Sequence, residues 1–285
     1  MYSLCDINEI KLILKKHGFS FSKALGQNFI IDPEICPEIV RRAGVSRDDC
    51  VLEIGPGIGV LTAELCASAK KVVAIELDKR LPDILADTLS DFNNFTLVEG
   101  DVLKLDLASV IREHFGSEKK IKVCANLPYY ITSPVIMNLL EGSYPIESIT
   151  VMVQKEAGER LCAPPGSKNA GAVSAAVSYF AEAKEEFFVP KESFLPAPKV
   201  DSEVIRLVLR ETPPVDVDNE ALFFKVIKAA FMQRRKSAVN TLSAGLSMPK
   251  AEIAAMLHEL GFEANARAEN FTLEDFAAIS THLQK

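Results

Sequence analysis

The sequence predicts an α/β fold: a doubly wound, mostly parallel, seven-stranded Rossmann-like sheet followed by a small all-helical C-terminal domain. Three observations carry this. Short β-branched runs alternate with helical patterns from about residue 35 to 210. The stretch "ETPPVDVDNE" (211 to 220) then breaks the alternation with two prolines and a run of acids, and only helical patterns follow it. The 285 residues, 48% hydrophobic and 25% charged, suit a large domain with a small companion.

Taken in order, the strands are "VLEIG" (51 to 55), "KVVAIEL" (71 to 77), "FTLVEG" (95 to 100), "IKVCAN" (121 to 126), "ITVMVQ" (149 to 154), "EEFFVP" (185 to 190) and "VIRLVLR" (204 to 210). Segments long enough for crossover helices separate the first five, as a parallel sheet requires. The last two follow one another closely across a proline-rich loop and predict an antiparallel edge. The C-terminal helices are "NEALFFKVIKAAFMQRRKSAVNTL", "MPKAEIAAMLHELGF" and "TLEDFAAISTHL". Thr272 is placed to cap the last of these, with acids at 274 and 275 at its positive end.

Composition narrows the chemistry. No apolar run approaches the roughly 20 residues that span a bilayer, and "MYSLCDINEIKLILKKHG" mixes charges into its apolar residues, so a soluble cytoplasmic chain is expected. The six cysteines form no C-x-x-C pair and several lie in apolar segments, which predicts buried reduced thiols. Four scattered histidines without H-E-x-x-H spacing give no support to a metal site. The net charge of −7 argues against nucleic acid for the chain as a whole, yet "KLILKKH" and "MQRRKS" are local basic clusters able to meet phosphate.

"VLEIGPGIGVLT" places Gly55, Gly57 and Gly59 between a strand and a helix. Glycine allows the sharp turn and close backbone approach, and the helix start offers free N–H groups to a ligand. Glu76 ends the second strand about 20 residues on, where an acid can accept both hydroxyls of a ribose. Asp101 ends the third, where it can accept an adenine amino group. Either acid alone reads equally as a solvated strand end; together they outline a nucleoside pocket. A nicotinamide dinucleotide would satisfy the same features.

"NLPYY" separates the two cases. The fourth strand delivers an amide acceptor, Asn126, a free carbonyl, Leu127 before Pro128, and a ring, Tyr129, able to stack on a base. Two acceptors that pull on the hydrogens of an exocyclic amine favour the pyramidal form that can attack. Hydride transfer needs neither.

Several longer stretches, among them "KALGQNFIID" (23 to 32), "EIGPGIGVLT" (53 to 62), "AIELD" (74 to 78), "EGDVLKLD" (99 to 106), "NLPYYITSPV" (126 to 135), "SFLPAPKVDSEVIRL" (193 to 207) and "AFMQRRKSAVNTL" (230 to 242), extend the pattern over nearly the whole chain. In them the sequence resembles the ribosomal RNA adenine N6-dimethyltransferases of the kasugamycin-resistance type, S-adenosylmethionine enzymes that modify small-subunit ribosomal RNA. The resemblance implies a methyltransferase domain over 1–212, with residues 1–35 as its lid, and a helical RNA- or ribosome-binding domain over 213–285. It implies that Gln27, Asn28 and the backbone at Ile30 close over the methionine end of S-adenosylmethionine. Gly55 and Gly57 would approach its carboxypropyl arm, Glu76 its ribose, and Asp101 and Val102 its adenine. Asn126 and the Leu127 carbonyl, set by Pro128, would hold the target N6, Asn126 also bordering the cofactor.

The base would lie between Tyr129 and Phe194, a sandwich that favours an extruded base by roughly 1–3 kcal/mol per stacked ring. Lys23, Arg234, Arg235 and Lys236 would meet RNA phosphates, with "FMQRRKS" in the first helix of the C-terminal domain. The partner implied is the small ribosomal subunit and its RNA, for a monomer without metal or membrane. The sequence departs from the family at Ile30, where leucine is usual, and at Ala170, where tyrosine is common.

Two other readings remain open on sequence. One is a large-subunit ribosomal RNA methyltransferase of the antibiotic-resistance type, which shares the cofactor features and "NLPY". The other is a ribosome-assembly or transcription factor that has kept the fold and lost catalysis; the intact set Gly55, Glu76, Asp101 and Asn126 argues against it.

Overall fold

A computed structural model describes residues 3–22, 25–116, 120–233 and 235–284. The chain folds as two compact units, Met1–Gly158 with Lys184–Leu209, and Glu159–Ala183 with Arg210–Lys285. No helix among the described residues is long and apolar enough to cross a membrane.

The first unit holds the sheet. Its strands are β1 (Phe29–Ile30), β2 (Cys50–Ile54), β3 (Lys71–Glu76), β4 (Phe95–Glu99), β5 (Ile121–Asn126), β6 (Ile146–Gln154), β7 (Ala181–Val189), β8 (Phe194–Leu195) and β9 (Ser202–Leu209). Seven of them form one sheet in the order β4-β3-β2-β5-β6-β9-β7, while β1 and β8 pair separately as an antiparallel ribbon. The pairs β2–β3, β3–β4, β2–β5 and β5–β6 are parallel and β6–β9 is antiparallel. All seven expected strands are therefore present. The ribbon was not expected, since two-residue strands carry no periodicity to read.

Every residue of β2 is buried, as befits a parallel strand covered on both faces. The helices are α1 (Ile7–Lys16), α2 (Ile35–Ala43), α3 (Val60–Ser68), α4 (Pro82–Thr88), α5 (Leu107–Phe115) and α6 (Thr132–Glu141), and α7 (Lys155–Cys162) begins in this unit and ends in the second. Asp6 caps α1 by accepting from the N–H groups of Asn8 and Glu9 at 2.7 and 3.0 Å. The i, i+3, i+4 stripe Ile10, Ile13 and Leu14 then buries that helix in the same core as Ile39, Leu65 and Ile84.

Chain order sends β2 to β3 on one side and later places β5 on its other side, so the strand order reverses at β2. Loops leaving the carboxyl ends of neighbouring strands diverge at such a point and open a crevice. Gly55, Glu76 and Asn126 all lie at this edge, at or just past the ends of β2, β3 and β5.

The second unit is helical around α8 (Ala172–Phe180), α9 (Glu220–Ala230), α10 (Ala238–Leu246), α11 (Lys250–Glu259) and α12 (Leu273–His282). Its core includes Tyr179, Phe223, Leu242, Ile253, Phe271 and Phe276. Thr272 caps α12 in a reciprocal box: its hydroxyl accepts from Asp275 N–H at 3.2 Å and the Asp275 carboxylate accepts from Thr272 N–H at 2.9 Å.

The helical unit corrects one expectation. The segment 219–242 is not one helix: α9 ends at Ala230, α10 begins at Ala238, and the described residues 231–233 and 235–237 belong to the turn between them. No proline or glycine interrupts 219–242, which is why the stretch reads as continuous. The turn lets α10 fold back onto α9 so closely that a Cβ at Gly245 would stand 2.4 Å from Ala229 Cβ.

Candidate active site

A cleft of about 1010 Å³, counting its solvent-open part, lies at the carboxyl ends of β2, β3 and β5. Gln27, Asn28, Ile30, Gly55, Gly57, Glu76, Asp101, Val102 and Asn126 all line it, together with Leu127, Pro128 and Tyr129.

The glycine turn forms its floor. Gly55 has φ +71°, and a Cβ built on it would meet no atom within 4 Å, so the space beside this backbone is open to a ligand. Gly57 has φ +60° and is tight for the opposite reason: a Cβ there would lie 3.2 Å from the Phe29 ring. Gly59, also left-handed, precedes α3 and supplies no capping side chain, which leaves the first-turn N–H groups of that helix to other acceptors.

Glu76 is buried, with its carboxylate accepting from Asp78 N–H at 2.8 Å and, weakly, from Gly57 N–H at 3.4 Å. Burial raises its pKa against the pull of these N–H groups. Asp101 accepts from Leu103 N–H at 3.0 Å and pairs with the exposed Lys104 at 3.2 Å. Val102 is buried in the adjoining wall.

At the end of β5, the Asn126 amide nitrogen donates to the Asn28 carbonyl at 3.2 Å, which aims the side-chain oxygen away from that bond as an acceptor. Asn28 in turn donates its own amide to the Gly26 carbonyl at 3.0 Å. Leu127 N–H donates to the Met152 carbonyl at 3.2 Å and Pro128 follows, so this acceptor is fixed by the strand behind it. The Tyr129 hydroxyl shares a 2.7 Å hydrogen bond with Ser202, which anchors the ring by its far end, and partial burial raises its pKa.

Phe194 departs from expectation. It is 3% exposed, pairs with Ile30 in the β1–β8 ribbon and packs into the core of the first unit, and it does not line the cleft. The neighbouring prolines do not project it to solvent, because its strand pairing turns the ring inward. Arg235 and Lys236 are exposed in the α9–α10 turn and make no ion pair among the described residues. Lys23 and Arg234 lie outside the described residues.

Glu53 was missed by sequence reasoning. It lines the cleft floor at 1% exposure, one carboxyl oxygen finds no partner among the described residues, and burial pushes its pKa up to about 8. An acid inside the apolar strand "VLEIG" was the available signal. Tyr130, the second ring of "PYY", was also passed over; it is 56% exposed at the rim. Among the described lining residues there is no lysine, arginine, histidine or cysteine. The cleft is therefore acidic and amide-lined, suited to a cationic ligand and to an amine donor.

The model of the family described as ribosomal RNA adenine dimethylase matches residues 18–285. The chain belongs to that family. The ribosomal RNA small subunit methyltransferase A of Bacillus pumilus is 49% identical over 278 residues, covering 96% of this chain and 95% of that protein. The protein of the same description from Lachnoclostridium phytofermentans is 49% identical over 283 residues, 98% and 97% of the two chains. Among solved structures, a dimethyladenosine transferase from Plasmodium falciparum aligns with TM-score 0.71 and 26% identity over 90% of this chain and 97% of its own. The 23S rRNA methyltransferase ErmE aligns with TM-score 0.67 and 25% identity over 90% and 100%. Membership of the dimethylase family makes this chain an RNA methyltransferase, in keeping with an amine-gripping rather than a hydride-transferring site.

Proposed function

We propose that the protein dimethylates the N6 amines of two adjacent adenines in small-subunit ribosomal RNA, with S-adenosylmethionine as methyl donor, during assembly of the small subunit. The observation that carries the chemistry is the Asn126 and Leu127 acceptor pair at the end of β5, in a cleft with acids but no described cation. The substrate class rests on the relatives that match over nearly the full chain and are described as small-subunit enzymes. The resemblance to ErmE keeps a large-subunit substrate as the alternative that an assay must separate.

The residues present suit the donor. The open cradle beside Gly55 and the unpartnered oxygen of Glu53 accommodate the amino-acid arm, and an acidic cleft without described cations favours a sulfonium over a phosphate-bearing dinucleotide. When bound, S-adenosylmethionine supplies an electrophilic methyl group. In this reading Glu76 accepts the ribose hydroxyls, Asp101 accepts the adenine amine with Val102 against its ring, and Gln27, Asn28 and Ile30 close the methionine end.

Asn126 Oδ1 and the Leu127 carbonyl accept the two N6–H bonds of the target. They hold its lone pair in line with the methyl group, so orientation supplies much of the acceleration. Tyr129 stacks on the base from its Ser202 anchor. Phe194 covers the second face only by rotating out of the core; as packed, it holds the β1–β8 ribbon. No side chain in the described cleft acts as a strong base, and the proton leaves after methylation has made the amine acidic. Arg235 and Lys236, with Lys23 and Arg234, supply phosphate contacts, and the protein acts as a cytoplasmic monomer on the ribosomal particle.

A pair of variants tests the assignment. Asn126→Ala retains cofactor affinity within a few fold and loses roughly 100-fold or more in turnover, the scale of a lost transition-state contact. Glu76→Ala loses cofactor affinity first. Equal loss of binding and turnover in Asn126→Ala, or unchanged affinity in Glu76→Ala, contradicts the roles of these two residues.

A further inference from the structure

Behind the cleft wall, the loop after β3 is tied to the N-terminal segment by a hydrogen-bonded cluster centred on Asp78 and Arg80, neither of which lines the cleft. Asp78 lies two residues beyond Glu76 and its side chain is 5% exposed. One of its oxygens accepts from Arg80 Nε at 2.8 Å and from Arg80 N–H at 3.1 Å. The other accepts from Arg80 Nη2 at 2.6 Å and from Gln27 Nε2 at 2.7 Å. Arg80 reaches further with Nη1, which donates to the Ser20 carbonyl at 3.0 Å, while its guanidinium lies 4.7 Å from the Phe19 ring centroid. Gln27 closes the loop: its Oε1 accepts from Ser22 N–H at 2.9 Å.

The same cluster touches the cofactor side of the cleft. Asp78 N–H donates to the Glu76 carboxylate, and Phe29, packed against Phe19 and Phe21, lies over Gly57. A buried carboxylate with four donors on its two oxygens has one low-energy arrangement, so Gln27 and the backbone at Ser20 and Ser22 are held in register with Glu76.

We propose that Asp78 and Arg80 are positioning residues that clasp the segment Phe19–Ser22 and Leu25–Ile30 over the cofactor end of the cleft and thereby set how long S-adenosylmethionine stays bound. The proposal rests on the cofactor assignment made above. Neither residue lines the cleft, so neither touches the cofactor; the clasp acts through Gln27 on one side and Glu76 on the other.

The test uses the full-length protein and S-adenosylhomocysteine, the spent form of the cofactor, as a probe that cannot react. Arg80→Ala is expected to bind it roughly tenfold more weakly, equivalent to 1.4 kcal/mol, with the change in the dissociation rate. Backbone hydrogen exchange in residues 19–22 and 25–30 of the cofactor-free variant accelerates, while exchange in β2, β3 and β5 keeps its wild-type rates. Turnover at saturating cofactor changes far less than the affinity. Arg80→Lys, which keeps the charge but not the fork, falls between the two. Asp78→Asn follows Arg80→Ala.

Wild-type affinity with wild-type exchange in the N-terminal segment of Arg80→Ala overturns the proposal. So does loss of protection throughout the sheet, which assigns the pair a merely structural role. If the wild-type protein itself fails to bind the probe, the cofactor reading is what fails.

Discussion

Glu53 shows at the residue scale how burial, reinforced by the charge of Glu76 and opposed by the Thr62 hydroxyl, sets a charge state. Its carboxyl sits in the cleft floor without a cation, and its pKa rises from 4.5 to about 8. The folded chain therefore keeps a proton that the unfolded chain releases, and stability falls as the pH rises through that window. Glu53→Gln, which removes the titration and keeps the shape, is expected to match the wild-type melting temperature near pH 5 and exceed it by several degrees near pH 9, at roughly 2–4 °C per kcal/mol for a domain of this size. Calorimetry at the two pH values checks it, and an equal offset at both contradicts the assignment.

The placement of Gly55, Glu76, Asp101 and Asn126 on one cleft was legible in the sequence because each lies at or just past a strand end. The site was not legible where the role depends on what folds over the residue. Phe194 is buried by a partner strand far away in the chain, and Asp78 and Arg80 gain their meaning only from Gln27 and Ser20.

Among the elements, the seven sheet strands could be read because each is a β-branched run bounded by turn residues. The end of α9 could not, because no proline or glycine marks it within 219–242 and the packing of α10 onto α9 decides the break. Gly245 records that packing, since any side chain there collides with Ala229 and Met232. Gly245→Val is expected to destabilise the helical unit by about 1–3 kcal/mol, the usual cost of overpacking. Denaturant unfolding followed by a probe in residues 220–283 measures it, and an unchanged midpoint contradicts the close crossing.

On the scale of the whole molecule, a net charge of −7 coexists with a basic turn whose described members Arg235 and Lys236 have no carboxylate partner among the described residues. Free cations on an acidic protein concentrate its attraction for phosphate at one place. The double variant Arg235→Ala, Lys236→Ala is expected to weaken binding to ribosomal particles and to lower the log–log salt slope by about 1.4–1.8 in magnitude. An unchanged slope places the phosphate contacts elsewhere. The helical unit was legible only in part, since Glu159–Ala183 joins it through Tyr179 and Ala175, across strands that interrupt it in sequence.

The central claim is that this acidic, amide-lined cleft serves dimethylation of small-subunit ribosomal RNA. The measurement that tests it most directly is methyl transfer from labelled S-adenosylmethionine to purified unmethylated small subunits, with large subunits and free DNA in parallel, followed by nucleoside analysis. The account predicts N6,N6-dimethyladenosine on small subunits alone. Label confined to large subunits, or firm binding to small subunits with no label transferred to any RNA, contradicts it.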